Sequence, residues 1–207
     1  LTAHWVNTLR RENLSLEDFR RLTQRLAWIL AAEAGDCLPR EDLVVQTPLA
    51  KAKGQQLTGD VLLVPVLRAG LSLLPAFLDF YPKASVGFVG LKRDEATAVA
   101  RCYYKNLPPV SATTYAFVLE PMLATGGSAA KAVHMLVDAG VAEERIIVVS
   151  VISAPDGVAL FKESYPKVRL LIAMQDDGLS PMKFIVPGLG DFGDRYFGTP
   201  PKPYDVE

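Results

Sequence analysis

The segment Phe117-Val118-Leu119-Glu120-Pro121-Met122-Leu123-Ala124-Thr125-Gly126-Gly127-Ser128 carries the clearest chemistry in this chain. An apolar strand ends in an acid, a turn follows, and a helix opens among small residues. Unpaired backbone N–H groups of Thr125, Gly126, Gly127 and Ser128 can converge on a phosphate there. Glycine removes the Cβ that would block it, and the Thr125 and Ser128 hydroxyls add donors. Glu120, at the carboxyl end of its strand, can accept hydrogen bonds from ribose hydroxyls. An acid for the sugar and a nest for the phosphate together describe a ribose 5-phosphate. The plain alternative is an ordinary strand-to-helix turn with Ser128 as N-cap. Lys131 stands four residues beyond Gly127, so the segment has no Walker A pattern and ATP hydrolysis is disfavoured.

A second constellation runs Phe184-Ile185-Val186-Pro187-Gly188-Leu189-Gly190-Asp191-Phe192-Gly193-Asp194-Arg195. Gly188, Gly190 and Gly193 spell the dinucleotide fingerprint, but that motif needs a strand before it, a helix after it and a distant acid. Only 14 residues follow Gly193, and they include Pro200, Pro201 and Pro203. The loop is better suited to present backbone donors and acceptors to the edge of a flat heterocycle. A third element is Arg68, which leaves an apolar strand beside Ala69-Gly70, and Arg93 stands at the end of the next strand. Two guanidiniums at the open end of a parallel sheet suit a pyrophosphate, since each fork can bind phosphate oxygens bidentately. For Arg93 a surface pair with Asp94 is the alternative.

The elements that must position these residues are legible in the apolar pattern. Strand-length runs rich in β-branched residues cover 61–67, 85–91, 115–120, 145–153 and 168–173, with a shorter candidate at 43–47. Helical patterns cover 71–80, 128–139 and 156–165. Ser15 with Asp18 three residues on caps an N-terminal helix over 15–34 that carries Phe19, Leu22, Leu26 and Ile29 on one face. Strand, helix, strand in this order predicts a doubly wound, mostly parallel α/β sheet covered on both faces. Two segments break the rhythm: a polar stretch over about 92–110 reads as a projecting arm, and a Gly-, Pro- and Asp-rich stretch over about 174–199 as a functional loop.

With 207 residues, half of them apolar and 22% charged, the chain is expected to form a single soluble domain over 1–207. A net charge of -1 favours a small partner over nucleic acid. No apolar run approaches the roughly 20 residues that span a bilayer. Cys37 and Cys102 form no CxxC pair, which suits a reducing compartment, and cytoplasm is the expected location. The chain begins at Leu1, so a presequence stays open. His4 and His134 have no metal-ligand spacing, and Asp176-Asp177 reads as a solvated carboxylate pair in a polar loop.

In order and spacing, Thr47-Pro48-Leu49, Leu67-Arg68-Ala69-Gly70, the 121–128 segment, Ala154-Pro155, the 186–191 segment and Gly193-Asp194-Arg195 resemble the uracil phosphoribosyltransferase family over nearly the whole chain. The resemblance implies a type I phosphoribosyltransferase fold with a projecting arm and transfer of phosphoribosyl from phosphoribosyl pyrophosphate (PRPP) to uracil, giving UMP in pyrimidine salvage. It implies Mg²⁺ held by substrate and not by a protein site, and a homodimer or homotetramer. By the same resemblance Arg68 and Arg93 contact the pyrophosphate, and Glu120, Pro121, Met122, Leu123, Ala124, Thr125, Gly126, Gly127 and Ser128 hold the ribose phosphate. Ile185, Gly190 and Phe192 frame uracil, and Asp191 touches PRPP and the base. Arg68, Arg93 and Asp191 are the residues it marks for catalysis. The chain departs from the family pattern at Glu120 (usually Asp), Lys92 (usually Tyr), Phe184 (usually Tyr) and Asn106, where a lysine is expected before Leu-Pro. Ser180-Pro181-Met182-Lys183 replaces a polar, glycine-containing stretch. Two alternatives stay open: a silent descendant that senses PRPP or a nucleotide, and a transferase for another base.

Overall fold

A computed structural model describes residues 1–93 and 100–200, with Arg93 and Ala100 described by backbone alone. The chain opens with helices α1 (Thr2–Leu9) and α2 (Leu16–Ala34), then strands β1 (Arg40–Gln46), β2 (Lys51–Leu57) and β3 (Val61–Leu67) and helix α3 (Leu74–Phe80). Strands β4 (Ser85–Val86), β5 (Phe88–Arg93), β6 (Ala100–Asn106), β7 (Tyr115–Leu119) and β8 (Met122–Leu123) lead to helix α4 (Gly127–Asp138). Strand β9 (Ile146–Ser153), helix α5 (Pro155–Ser164), strands β10 (Arg169–Gln175), β11 (Gly178–Leu179) and β12 (Ile185–Val186), and helix α6 (Phe192–Phe197) complete it.

Five parallel strands in the order β10-β9-β7-β3-β5 form the centre of the main sheet, and β6 runs antiparallel along the outer side of β5. The apolar runs explain why. Every residue of β9 is buried, as a strand covered on both faces requires. Along β7 the side chains alternate between two helix layers: Phe117 and Leu119 pack with Leu26, Leu30 and Phe77, while Ala116 and Val118 pack with Val133, Leu136 and Phe161. The result is the doubly wound sheet that strand and helix order predicts. Ser15 caps α2 by accepting the Asp18 N–H at 3.1 Å, and Phe19, Leu22, Leu26 and Leu30 form its buried face.

The elements without a sequence signal are instructive. Strand β2, Lys-Ala-Lys-Gly-Gln-Gln-Leu, pairs only with β1, and this ribbon is largely exposed, so no apolar alternation selects it. Over the stretch expected to project as an arm, 100–106 instead returns to the sheet as edge strand β6, whereas 94–99 lies outside the described residues. The ribbon that stands apart from the main sheet is β1-β2. Helices α1 and α6 are too short for periodicity to reveal. Among the described residues no helix is long and apolar enough to cross a membrane.

Candidate active site

A cleft of about 450 Å³ opens at the carboxyl ends of β5 and β7, where parallel sheets collect ligands. One wall is the turn after β7: Glu120, Met122, Leu123, Ala124, Thr125, Gly126, Gly127 and Ser128 all line it. Leu91 and Lys92 contribute from β5, and Lys183, Phe184, Ile185 and Asp191 from the chain after β10. Residues more than sixty positions apart in sequence therefore share one cavity.

The turn after β7 is built mainly from backbone. Gly126 adopts a left-handed conformation, φ 79°, and serves as N-cap of α4 without any side-chain capping bond. Ser128 is therefore inside the helix and does not cap it. The first helical bond runs from the Ala130 N–H to the Gly126 carbonyl at 2.8 Å, so the preceding N–H groups find no partner within the helix. A Cβ placed on Gly127 would meet only the Thr125 hydroxyl, at 3.8 Å, because its side faces open space in the cleft. Unpaired donors, the helix dipole and room for a ligand coincide at this point, which is the arrangement that holds a phosphate.

The wall is fixed from behind. Pro121 is buried and does not line the cleft; its carbonyl accepts the N–H groups of Val151 and Ile152 at 2.9 and 3.1 Å. The Ser150 hydroxyl donates to the Glu120 carbonyl at 2.7 Å, and the Glu120 N–H donates to Val149 at 3.1 Å. Strand β9 thus clamps the backbone on both sides of the acid while the Glu120 side chain lines the cleft.

The facing wall is organised by side chains from far away. Asp176, expected as half of a solvated pair, is 6% exposed and sits at the hub. Both of its carboxylate oxygens accept from the Arg10 guanidinium, Oδ2 at 2.7 Å, and Oδ2 also accepts the Gly188 N–H at 2.9 Å. Arg10 donates in addition to the Gly188 carbonyl at 2.7 Å, which leaves both backbone groups of Gly188 engaged. The Asp176 hydrogen bond raises the Arg10 pKa against the opposing effect of burial. Arg195 performs a parallel task, donating to the carbonyls of Leu189, Leu9 and Arg11 at 2.6 to 2.8 Å with its guanidinium 4.5 Å over the Phe19 ring. These two arginines tie the 186–191 loop to the N-terminal helices. Arg10 was not legible as a site residue, because its partners lie 166 and 178 residues away.

Other expected site residues are distributed unevenly. Ile185, buried on the short strand β12, and Asp191, the N-cap of α6, reach the cleft. Gly190, with φ 80°, shapes the backbone between them but does not line the cavity. The Phe192 ring is 1% exposed and packs edge-on against Phe19 at 5.1 Å, so it supports the loop from the core. Arg68 follows β3, but its guanidinium donates to Asp194 at 3.0 Å, lies 5.8 Å over the Phe197 ring, and is absent from the cleft lining. The Arg93 side chain lies outside the described residues. Among the described residues no three His, Cys, Asp or Glu side chains cluster as metal ligands. A larger cavity of about 640 Å³, bordered by Leu57, Asp60, Lys83 and Pro109, reaches Val61 at the amino end of β3 and contains none of the expected site residues. Size alone does not mark the chemistry here.

A family model described as uracil phosphoribosyltransferase matches residues 1–199. The chain is 41% identical to the uracil phosphoribosyltransferase of Campylobacter concisus, covering 96% of this chain and 95% of that protein. It is 43% identical to the one from Streptococcus uberis, with the same coverage. Among solved structures, the AQ2163 protein of Aquifex aeolicus superposes with a TM-score of 0.87 at 34% identity, covering 96% of this chain and 94% of that one. A hypoxanthine-guanine phosphoribosyltransferase from Bacillus anthracis superposes at a TM-score of 0.52 with 10% identity over 78% of this chain and 80% of that one, a likeness of fold alone. On this near-complete match, the chain belongs to the uracil phosphoribosyltransferase family.

Proposed function

We propose that this chain transfers the phosphoribosyl group of PRPP to uracil, forming UMP and releasing pyrophosphate. The observation that carries the reading is that a helix N-terminus without a side-chain cap, at Gly126 and Gly127, lines one cleft together with Glu120 and Ile185. The 5-phosphate occupies the Thr125 to Ser128 turn, and Glu120 accepts the ribose hydroxyls. Uracil N1 bonds to the anomeric carbon as the bond from that carbon to the diphosphate oxygen breaks. The N1 proton passes to solvent. No protein nucleophile takes part, so the task of the chain is alignment and stabilisation of the charge that develops on the leaving group.

Among the described residues, Glu120 and Asp191 are the carboxylates lining the cleft. That sparse donor set fits a Mg²⁺ held mainly by substrate oxygens and water, with either carboxylate able to add a ligand. When bound, the ion neutralises diphosphate charge. Arg93 extends the pyrophosphate site from the end of β5. Arg68, engaged by Asp194, positions the α6 end of the base loop and must leave that carboxylate to reach pyrophosphate. Val44, Val45 and Leu49 on the β1-β2 ribbon are exposed, and this ribbon is the natural place for self-association into a homodimer or larger oligomer.

The test is UMP formation from labelled PRPP with Mg²⁺ and either uracil or cytosine. Fixed backbone donors and acceptors near Ile185 and Asp191, the ends of the loop that line the cleft, read uracil's carbonyl and N–H, whereas cytosine presents an amino group and an unprotonated nitrogen. A discrimination up to the order of 10⁴-fold is expected. Equal rates with both bases, or PRPP binding without turnover, would sink the reading.

A further inference from the structure

Lys183 is the only non-glycine residue with positive φ among the described residues, at 66°. Left-handed backbone is costly for a side chain with a Cβ, and such positions concentrate where a ligand is held. The turn around it imposes the conformation. The Lys183 N–H donates to the Ser180 carbonyl at 2.8 Å, the Ser180 N–H to the Phe184 carbonyl at 2.8 Å, and the Phe184 N–H to the Ser180 hydroxyl at 3.1 Å. Glycine would meet this turn without strain, yet the chain places there a lysine that lines the cleft.

Lys92 lines the same cavity from β5. Among the described residues neither ammonium has an ion pair or a side-chain hydrogen bond, whereas Arg68, outside the cleft lining, is occupied by Asp194 and Phe197. The electrostatics of the substrate require more than the turn supplies. Backbone N–H groups at 125–128 can neutralise one phosphate, and a diphosphorylated sugar brings further anionic oxygens into the cleft.

We infer that Lys183, strained in its turn, acts with Lys92 as a cation pair that grips phosphate oxygens of the bound substrate from the walls facing the 125–128 turn. This rests on the proposed PRPP chemistry. The pair makes Lys183 a binding residue specific to this chain's version of the loop, kept at the cost of local backbone strain.

The experiment uses the full chain with Mg²⁺ and measures calorimetric affinity for PRPP, inorganic pyrophosphate and UMP in wild type, Lys183→Gly, Lys183→Gln and Lys92→Gln. Lys183→Gly and Lys183→Gln should each weaken PRPP by about 10-fold, the range for a partly exposed charge-assisted hydrogen bond. Lys183→Gly should at the same time raise the melting temperature by about 2 to 4 °C, because glycine relieves the left-handed strain. A merely structural lysine would not produce higher stability with lower affinity. If pyrophosphate weakens and UMP does not, the cations hold the leaving group; if both weaken, they also reach the 5-phosphate. Unchanged affinity for all three anions in both Lys183 variants overturns the assignment. Wild type that forms no UMP, with Lys183→Gln still weakening anion binding, removes the proposed reaction and leaves the cation pair standing. Wild type that binds none of the three anions overturns both.

Discussion

The two walls of the cleft reach similar precision by different means. The 120–128 wall is local: a strand, an acid, a left-handed glycine and a helix N-terminus follow one another along the chain, and backbone bonds to β9 hold them. The 176–195 wall is remote: Asp176, Gly188 and Leu189 keep their places through Arg10 and Arg195, which reach the N-terminal helices. The difference teaches where damage will act. A phosphate, which many backbone donors can satisfy, tolerates a site made from a turn. A base read by fixed donors and acceptors needs a loop whose backbone cannot drift, and a loop rich in glycine supplies no such rigidity itself.

The sharpest contrast comes from Gly127→Val. Its side chain would enter the cleft and not the core, since the nearest atom to a Cβ there is the Thr125 hydroxyl at 3.8 Å. PRPP affinity should fall by at least about 100-fold while the melting temperature stays within about 2 °C of wild type. Retained affinity in the folded variant would remove the phosphate from this turn.

Next in size is Glu120. Replacing it with alanine leaves ribose hydroxyls unpaired and should lower kcat/KM for PRPP by about 10 to 100-fold. Glu120→Asp should keep or improve activity, because the charge and the acceptor oxygens remain and a shorter arm aligns the sugar more tightly. An alanine variant as active as wild type would show that the acid does not bind the ribose.

Arg10→Ala attacks the other wall without touching substrate. It leaves Asp176, whose side chain is 1% exposed, as a buried carboxylate without its guanidinium, a loss of about 3 kcal/mol. Uracil KM should rise by about 10-fold, with PRPP affinity changed less than 2-fold in protein still folded at the assay temperature. Equal losses for both substrates would erase the distinction between local and remote walls.

The smallest effect belongs to the scaffold that both walls share. Burial, with lesser contributions from Cys37 and Asp36, pushes the Tyr81 phenol up to about 12, and its hydroxyl donates to the Ala31 carbonyl at 2.6 Å. The folded state therefore holds this proton more tightly than the unfolded chain, whose tyrosine titrates near 10. Stability from Tyr81 is fully present below about pH 10 and is lost as pH rises toward about 12. Thermal melts of wild type and Tyr81→Phe between pH 9 and 11 should show a steeper alkaline decline in wild type, and parallel curves would contradict it.

Much of the sheet was legible because strands buried on both faces must be apolar throughout. The expected run over 61–67 coincides with β3, and 145–153 differs from β9 by one residue. Strands β2 and β6 escaped because exposed or edge pairing rests on backbone bonds that any side chain permits. In the site, the 120–128 wall was legible from the order of residue types. Asp176 was misread as solvated, since nothing in Gln175-Asp176-Asp177 reveals that an arginine at position 10 will cover it.

By itself, then, the sequence determined the α/β sheet, the glycine turn that opens a helix after Glu120 and the family resemblance, all of which depend on neighbours along the chain or on spacing within short motifs. Tertiary structure alone decided that Phe192 turns into the core, that Arg68 faces Asp194 and that Lys183 lines the cleft. It also decided that Arg10 and Arg195 brace the 186–191 loop. Those outcomes depend on which residues folding brings within a few ångströms, and no local pattern encodes that distance.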